Sequence, residues 1–204
     1  MKAITIEDNE NFLRQISEPV NINNVEEIKK DMKVLEDFCK ENDVMAMAAV
    51  QLGIAKRLVY LKNTNLDIIN KMQSNEVSDE EKEYNEARVL INPVITKKEG
   101  LTEYWEACAS CLDNVGRVKR PYKITVEYFD IEGNKKIDYF EGFESTVLSH
   151  EMDHLDGILH MDIAEEVLVM PKEERKKLRQ SQGYKILEKQ GIFEQLNSNK
   201  ILTK

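Results

Sequence analysis

The stretch His150-Glu151-Met152-Asp153-His154 decides the reading of this 204-residue chain, because it sets two imidazoles and a carboxylate at helical spacing. Positions i and i+4 share one helix face, so both rings can reach a single ion while Glu151 stands beside them as a base. The flanking residues predict a helix from Phe143 to Gly157. Phe143, Val147, Leu148, Leu155 and both imidazoles fall on one broad face, and Gly157 is placed as a C-terminal stop. A helix with this much apolar surface is a buried one. The chemistry it points to is metal-assisted hydrolysis, with no substrate specified.

Working outward, residues 22 to 41 predict an amphipathic helix, with Val25, Ile28, Met32, Leu35 and Phe38 on one face and Asn24 as a cap. Met45 to Gln51 reads as a loop and Leu58 to Leu61 as a strand. Strand signals resume at Val89 to Ile91, with an irregularity at Asn92-Pro93 before Val94 and Ile95. Lys123 to Phe129 and Ile137 to Phe140, joined through Asp130 to Asn134, predict an antiparallel hairpin. Past Pro171 the apolar residues are too sparse for a core element and suggest a peripheral helix interrupted near Gly183 or Gly191. The expected class is α+β: antiparallel β-sheets wrapped around a central metal-binding helix, with an N-terminal helix and a peripheral C-terminal helix. The expected organisation is a single domain over 1–204, with an acidic insertion at 62–88 and a peripheral helical segment at 165–204.

Composition narrows the partners. A net charge of −9 with scattered basic residues lacks the electrostatic footprint of a DNA or RNA binder. Acidic residues occupy the first positions, where a secretory signal would be apolar, and no run is long enough to span a bilayer. Three cysteines, Cys39, Cys108 and Cys111, suit a reducing compartment better than a disulfide framework. The reading is a cytoplasmic protein with neither DNA nor membrane as partner.

Hydrolytic metal sites of this kind use three protein ligands and keep a fourth position open. After His150 and His154, the third is either a downstream carboxylate or a cysteine. The segment Glu106-Ala107-Cys108-Ala109-Ser110 offers the cysteine. A thiolate beside two imidazoles also lowers the net charge of a divalent site.

At this point the chain resembles the peptide deformylases, whose signatures have the form G-φ-G-φ-A-A-x-Q, E-G-C-φ-S and H-E-x-D-H, with φ apolar. The chain presents Val44-Met45-Ala46-Met47-Ala48-Ala49-Val50-Gln51, then Glu106 to Ser110, then His150 to His154, in that order. The likeness extends from Phe12-Leu13-Arg14 to Asp156-Gly157-Ile158-Leu159. It implies hydrolysis of the formyl group from the initiator methionine, so N-formylmethionyl peptides are the implied partners; ribosome association is shown by no residue. It further implies one divalent ion held by Cys108, His150 and His154: Fe2+ in the cell, with Zn2+ or Ni2+ able to replace it in purified protein. Glu151 is then the general base, and the Gln51 amide and the backbone N–H of Ala109 are the oxyanion donors. The chain departs from the pattern where Val44, Ala46 and Ala107 replace glycines and where Ala109 replaces a larger apolar residue. Their Cβ atoms would reshape the groove.

Other readings accompany this one. A zinc peptidase would use the same helix with a non-cysteine third ligand, and a degenerate relative would bind peptides without turnover. Cys111 forms a C-x-x-C pair with Cys108, but a fourth cysteine ligand would close the ion and leave Glu151 and Gln51 without a role. Isolated His160 reads as a partly buried structural residue. Asp153 is expected to pair with Arg120 or Arg117, Glu106 and Ser110 to be hydrogen-bonding supports, and Trp105 to pack beside the ligand strand.

Overall fold

A computed structural model of the protein describes residues 1–42, 44–62 and 87–193. The acidic stretch read as an insertion at 62–88 lies almost wholly outside the described residues. Helix α1 spans Ile6–Leu13 and α2 spans Val25–Asn42. Strand β1 (Ala46–Ala48) runs into a 3₁₀ turn (Ala49–Leu52), followed by β2 (Leu58–Leu61) and the long β3 (Arg88–Ala107). After a second 3₁₀ turn (Ala109–Cys111) come β4 (Asn114–Arg120), β5 (Lys123–Phe129), β6 (Lys135–Glu141) and α3 (Phe143–Leu155). The chain continues through α4 (His160–Ile163), β7 (Glu166–Val169), α5 (Lys172–Gln182) and β8 (Lys185–Ile192). The fold is α+β, and every pairing between the described strands is antiparallel.

Strand β3 organises the sheet by changing partners along its length. Its first half pairs with β2 and β5, and its second half with β4 and β8. Two positive-φ residues let it bend: Asn92 at φ 51 and Gly100 at φ 68. At Asn92 the register with β5 shifts, and the side chain replaces a strand partner, accepting from Val20 N–H at 2.7 Å and donating to Val20 C=O at 2.9 Å. The Asn92-Pro93 irregularity is thus a bulge inside one strand, and what the sequence suggests are small sheets form one connected sheet.

The short β2 is buried on both faces, which explains its unbroken apolar run. Leu58 and Tyr60 pack with Ile28, Met32, Leu35 and Phe38 of α2. Val59 and Leu61 face the other way, toward Leu148, Met152 and Leu155 of α3. Helix α3 packs against β1, β2, β4 and β6, so the sheet surrounds it on several sides. In the hairpin, Ile124, Val126 and Tyr128 of β5 point inward, and Asp130 closes the turn by accepting from the N–H groups of Glu132 and Asn134 at 3.0 and 2.8 Å.

Two expectations are corrected. Met45 to Gln51 is not a loop: Ala46 to Ala48 pair with Val59 to Leu61, and a 3₁₀ turn follows. The segment at 165–204 is not helical throughout, because among its described residues only Lys172–Gln182 forms a helix, between two strands. Strand β7 pairs with β4, and β8 occupies the edge of β3. All eight residues of β8 are exposed, so backbone pairing and not an alternating side-chain pattern specifies it. Among the described residues no helix is long and apolar enough to cross a membrane.

Helix α3 ends in a Schellman motif. Gly157 N–H donates to His154 C=O at 3.2 Å, and Ile158 N–H donates to Asp153 C=O at 2.9 Å. Gly157 has φ +70, and a Cβ there would lie 2.1 Å from the carbonyl oxygen of Arg14. Gly157→Ala should therefore destabilise the fold by about 2–4 kcal/mol, from positive φ and backbone collision together. Urea denaturation followed by circular dichroism measures it, and an unchanged midpoint would contradict this packing.

Candidate active site

Three segments converge at the C-terminal half of α3. Helix α3 presents His150, Glu151 and His154; the end of β3 and its 3₁₀ turn present Glu106, Cys108 and Ala109; β1 and the first 3₁₀ turn present Ala48 and Gln51. Cys108 is the N-cap of its turn, with Sγ accepting from Ser110 N–H at 3.4 Å. Cys108, His150 and His154 each offer one atom able to ligate a metal, and these atoms lie within 4.8 Å of one another. Cys108 Sγ and His154 Nε2 are 3.2 Å apart. An ion bonded at about 2.0–2.3 Å separates tetrahedral ligand atoms by about 3.5 Å, so the donor set fits one divalent ion. The sulfur–imidazole chemistry also suits a transition metal better than Mg2+ or Ca2+.

His150 is oriented from behind. Its Nδ1 is 2.8 Å from Glu106 Oε2, which leaves Nε2 directed to the ligand side. Arg120 binds both oxygens of Glu106, at 2.8 and 3.0 Å, and also pairs with Asp153. Burial alone would raise the Glu106 pKa, yet the Arg120 and His150 partners outweigh it and hold the carboxyl well below its usual range. Of the two arginines expected for Asp153, Arg120 is the partner; Arg117 pairs with Glu103, Glu165 and Glu166.

Glu151 is buried at 7% exposure, and burial is the main cause that pushes its pKa up to about 7. Its Oε2 accepts from Ala48 N–H at 2.9 Å, a donor shared with Gln51 Oε1 at 3.2 Å. Gln51 Nε2 lies 3.3 Å from Cys108 Sγ and 3.1 Å from Ser110 Oγ. Exposed Ala109 lines the same cleft, and as the first residue of its turn its N–H has no partner within the turn.

The remaining sequence candidates separate from the cluster. Cys111 is fully buried with Leu13 and Leu159 and is not among the grouped ligands. His160 is also outside the ligand set, 1% exposed and packed against Gly116, and burial followed by the nearby His150 depresses its pKa to about 4. Trp105 is buried in β3, as expected for a packing residue.

Val44, Ala46 and Ala107 all line the cleft, and none has a positive φ. The backbone does not require glycine at these positions, so the substitutions alter walls and introduce no strain. Sequence reasoning missed Tyr104, Phe143 and Arg179, which complete the cleft. Period two along β3 from Cys108 through Glu106 reaches Tyr104, a usable signal; nothing in the sequence marks Arg179.

Comparison with known proteins bears on this geometry. The family model for polypeptide deformylase matches residues 1–168. The peptide deformylase of Pelagibacter ubique is 36% identical over 163 residues, covering 79% of this chain and 85% of that protein. Peptide deformylase 2 of Clostridium acetobutylicum is 35% identical over 170 residues, covering 82% and 98%. Among solved structures, the chain is similar to a probable peptide deformylase from Synechococcus phage S-SSM7, with TM-score 0.66 and 31% identity over 79% of this chain and 98% of that one. It is also similar to the Met-Ala-Ser-bound class I type b peptide deformylase from Acinetobacter baumannii, with TM-score 0.66 and 25% identity over 79% and 96%. The Cys108–His150–His154 cluster, Glu151 and Gln51 all fall inside the matched span, and the chain belongs to the polypeptide deformylase family.

Proposed function

We propose that the protein is a cytoplasmic, metal-dependent deformylase that hydrolyses the N-formyl group of new polypeptides, releasing formate and a free amino-terminal methionine. The observation that carries this reading is the meeting, in one cleft, of the Cys108–His150–His154 set with buried Glu151 and Gln51. A divalent ion at that set, Fe2+ by family resemblance and Zn2+ or Ni2+ in other preparations, supplies Lewis acidity that brings the pKa of water toward neutrality.

The chain's own residues do the rest. Glu151 accepts a proton from the attacking water and returns it to the amine nitrogen as the C–N bond breaks. Burial raises the carboxyl's affinity for a proton, and Ala48 N–H holds the carboxyl in place. The Gln51 amide and Ala109 N–H, both in the lining of the cleft, are the donors that stabilise the oxyanion, each worth about two to three orders of magnitude in rate. Val44, Met47, Phe143 and Val147 give an apolar wall suited to a flexible thioether side chain. The similar Acinetobacter baumannii deformylase carries Met-Ala-Ser, a peptide with the amino-terminal methionine that this reaction leaves.

Three outcomes are expected. Fe2+-loaded protein prepared anaerobically should release formate from formyl-Met peptides, and Glu151→Ala should lower kcat by about 10²–10⁴-fold while keeping its metal; absence of release by the unaltered protein defeats the assignment. Cys108→Ala should lose the ion by elemental analysis, whereas full retention would favour a peptidase with another third ligand. Glu106→Ala, which frees His150 Nδ1, should weaken metal affinity by about 10–100-fold in chelator competition; unchanged affinity would deny Glu106 its positioning role.

A further inference from the structure

The C-terminal segment beyond the family match supplies a charged group to the cleft. Arg175, one turn earlier on α5, docks the helix by donating to Leu112 C=O and pairing with Asp113. Tyr184, just past the helix, packs edge-on against Phe143 and Tyr104, with ring centroids 5.4 and 6.1 Å apart. Between them, Arg179 lines the cleft that also holds Cys108, His150 and Glu151. Its Nε donates to Tyr104 Oη at 3.1 Å, and its guanidinium carbon lies 5.2 Å from the Tyr104 ring centroid.

That anchoring uses one of the five guanidinium N–H groups and leaves the planar Nη pair available. Every other arginine of the chain has a carboxylate partner. Among the described residues Arg179 alone has none, in a chain whose acids outnumber its lysines and arginines by 38 to 29. A half-buried, preoriented guanidinium at the edge of a peptide cleft matches a carboxylate, which it can bind through two parallel hydrogen bonds.

We propose that Arg179 is a specificity-determining residue that selects formyl-methionyl peptides carrying a carboxylate within the first residues after the methionine. The inference rests on the deformylase reading. Binding the carboxylate contributes equally before and during hydrolysis, so the preference appears mainly in KM.

The test compares four substrates with Fe2+-loaded protein: formyl-Met-Glu-Ser-amide, formyl-Met-Ser-Glu-amide, neutral formyl-Met-Gln-Ser-amide, and formyl-Met-Gln-Ser with a free terminal carboxylate. The last arm separates a side-chain carboxylate from a chain terminus. At least one side-chain carboxylate peptide should exceed the neutral one by about tenfold in kcat/KM, as expected for a charge-assisted contact at a partly exposed site. Arg179→Gln should level the two, Arg179→Glu should reverse their order, and Arg179→Lys should retain part of the preference. Reversal is a readout that a merely structural role would not give. Calorimetry of the unformylated Met-Glu-Ser-amide, Met-Ser-Glu-amide and Met-Gln-Ser-amide should show the same ranking. Equal kcat/KM for all four substrates, a preference confined to the free terminus, or a preference that survives Arg179→Gln overturns the proposal while leaving deformylation intact. Preferential binding of an acidic peptide without formate release defeats the deformylase reading and leaves the Arg179 contact standing.

Discussion

The site depends on a charge that burial ought to forbid. Glu106 is 4% exposed, and Arg120 keeps it ionised by gripping both oxygens. As a carboxylate it fixes His150 through Nδ1, while the same arginine holds Asp153, one residue before His154. The network ties β3, β4 and α3 together at the point where the ligands must converge. Removing one member of such a buried set typically costs about 3–5 kcal/mol, whereas replacing the whole set with apolar residues can be neutral. Its value here is orientation: the His150 ring is aimed by a carboxylate that Arg120 itself holds in place.

The same strand that carries Glu106 and Cys108 also carries the topology. One half of β3 belongs with β2 and β5, under the core between sheet and α3; the other half belongs with β4 and β8, beside the ligands. A straight strand would separate these tasks. The bulge at Asn92 and the positive φ at Gly100 bend it, so a continuous backbone delivers the ligand strand to a helix already packed by its first half.

These features were unequally legible in the sequence. The histidine pair was plain because metal binding demands particular atoms at particular spacings, and His150 to His154 satisfy that demand within one helix, whereas Cys108 was one of two kinds of third ligand until the family resemblance favoured it. Strands β2 and β5 were visible because burial imposes a run on one and alternation on the other. The choice of Arg120 over Arg117 was not visible, since both lie in β4 three residues apart on opposite faces, and only the pairing of β4 with β3 shows that Arg120 shares the face of Glu106. Strand β8 left no signal because its stabilisation is backbone pairing at an exposed edge. The C-terminal segment reaches the cleft through Arg179, carried on a helix with no buried residue and hence no apolar pattern to mark it.

The replaced glycines show which part of the site is constrained. Ala48 N–H is shared by Gln51 and Glu151, so the backbone of β1 locks these two side chains together. That lock needs β geometry at Ala46 to Ala48, which pairs residue by residue with β2 and gives an alanine no steric penalty. Val44 precedes the strand and only borders the cleft. Ala107 ends β3 in ordinary extended pairing with Val115. The added Cβ atoms therefore occupy space that a substrate would otherwise enter, while the positions of Glu151, Gln51 and the ligands are set by contacts that do not involve them. Chemistry and selectivity are separable in this fold: the first is held by buried hydrogen bonds along β1, β3 and α3, the second by whatever side chains border the opening.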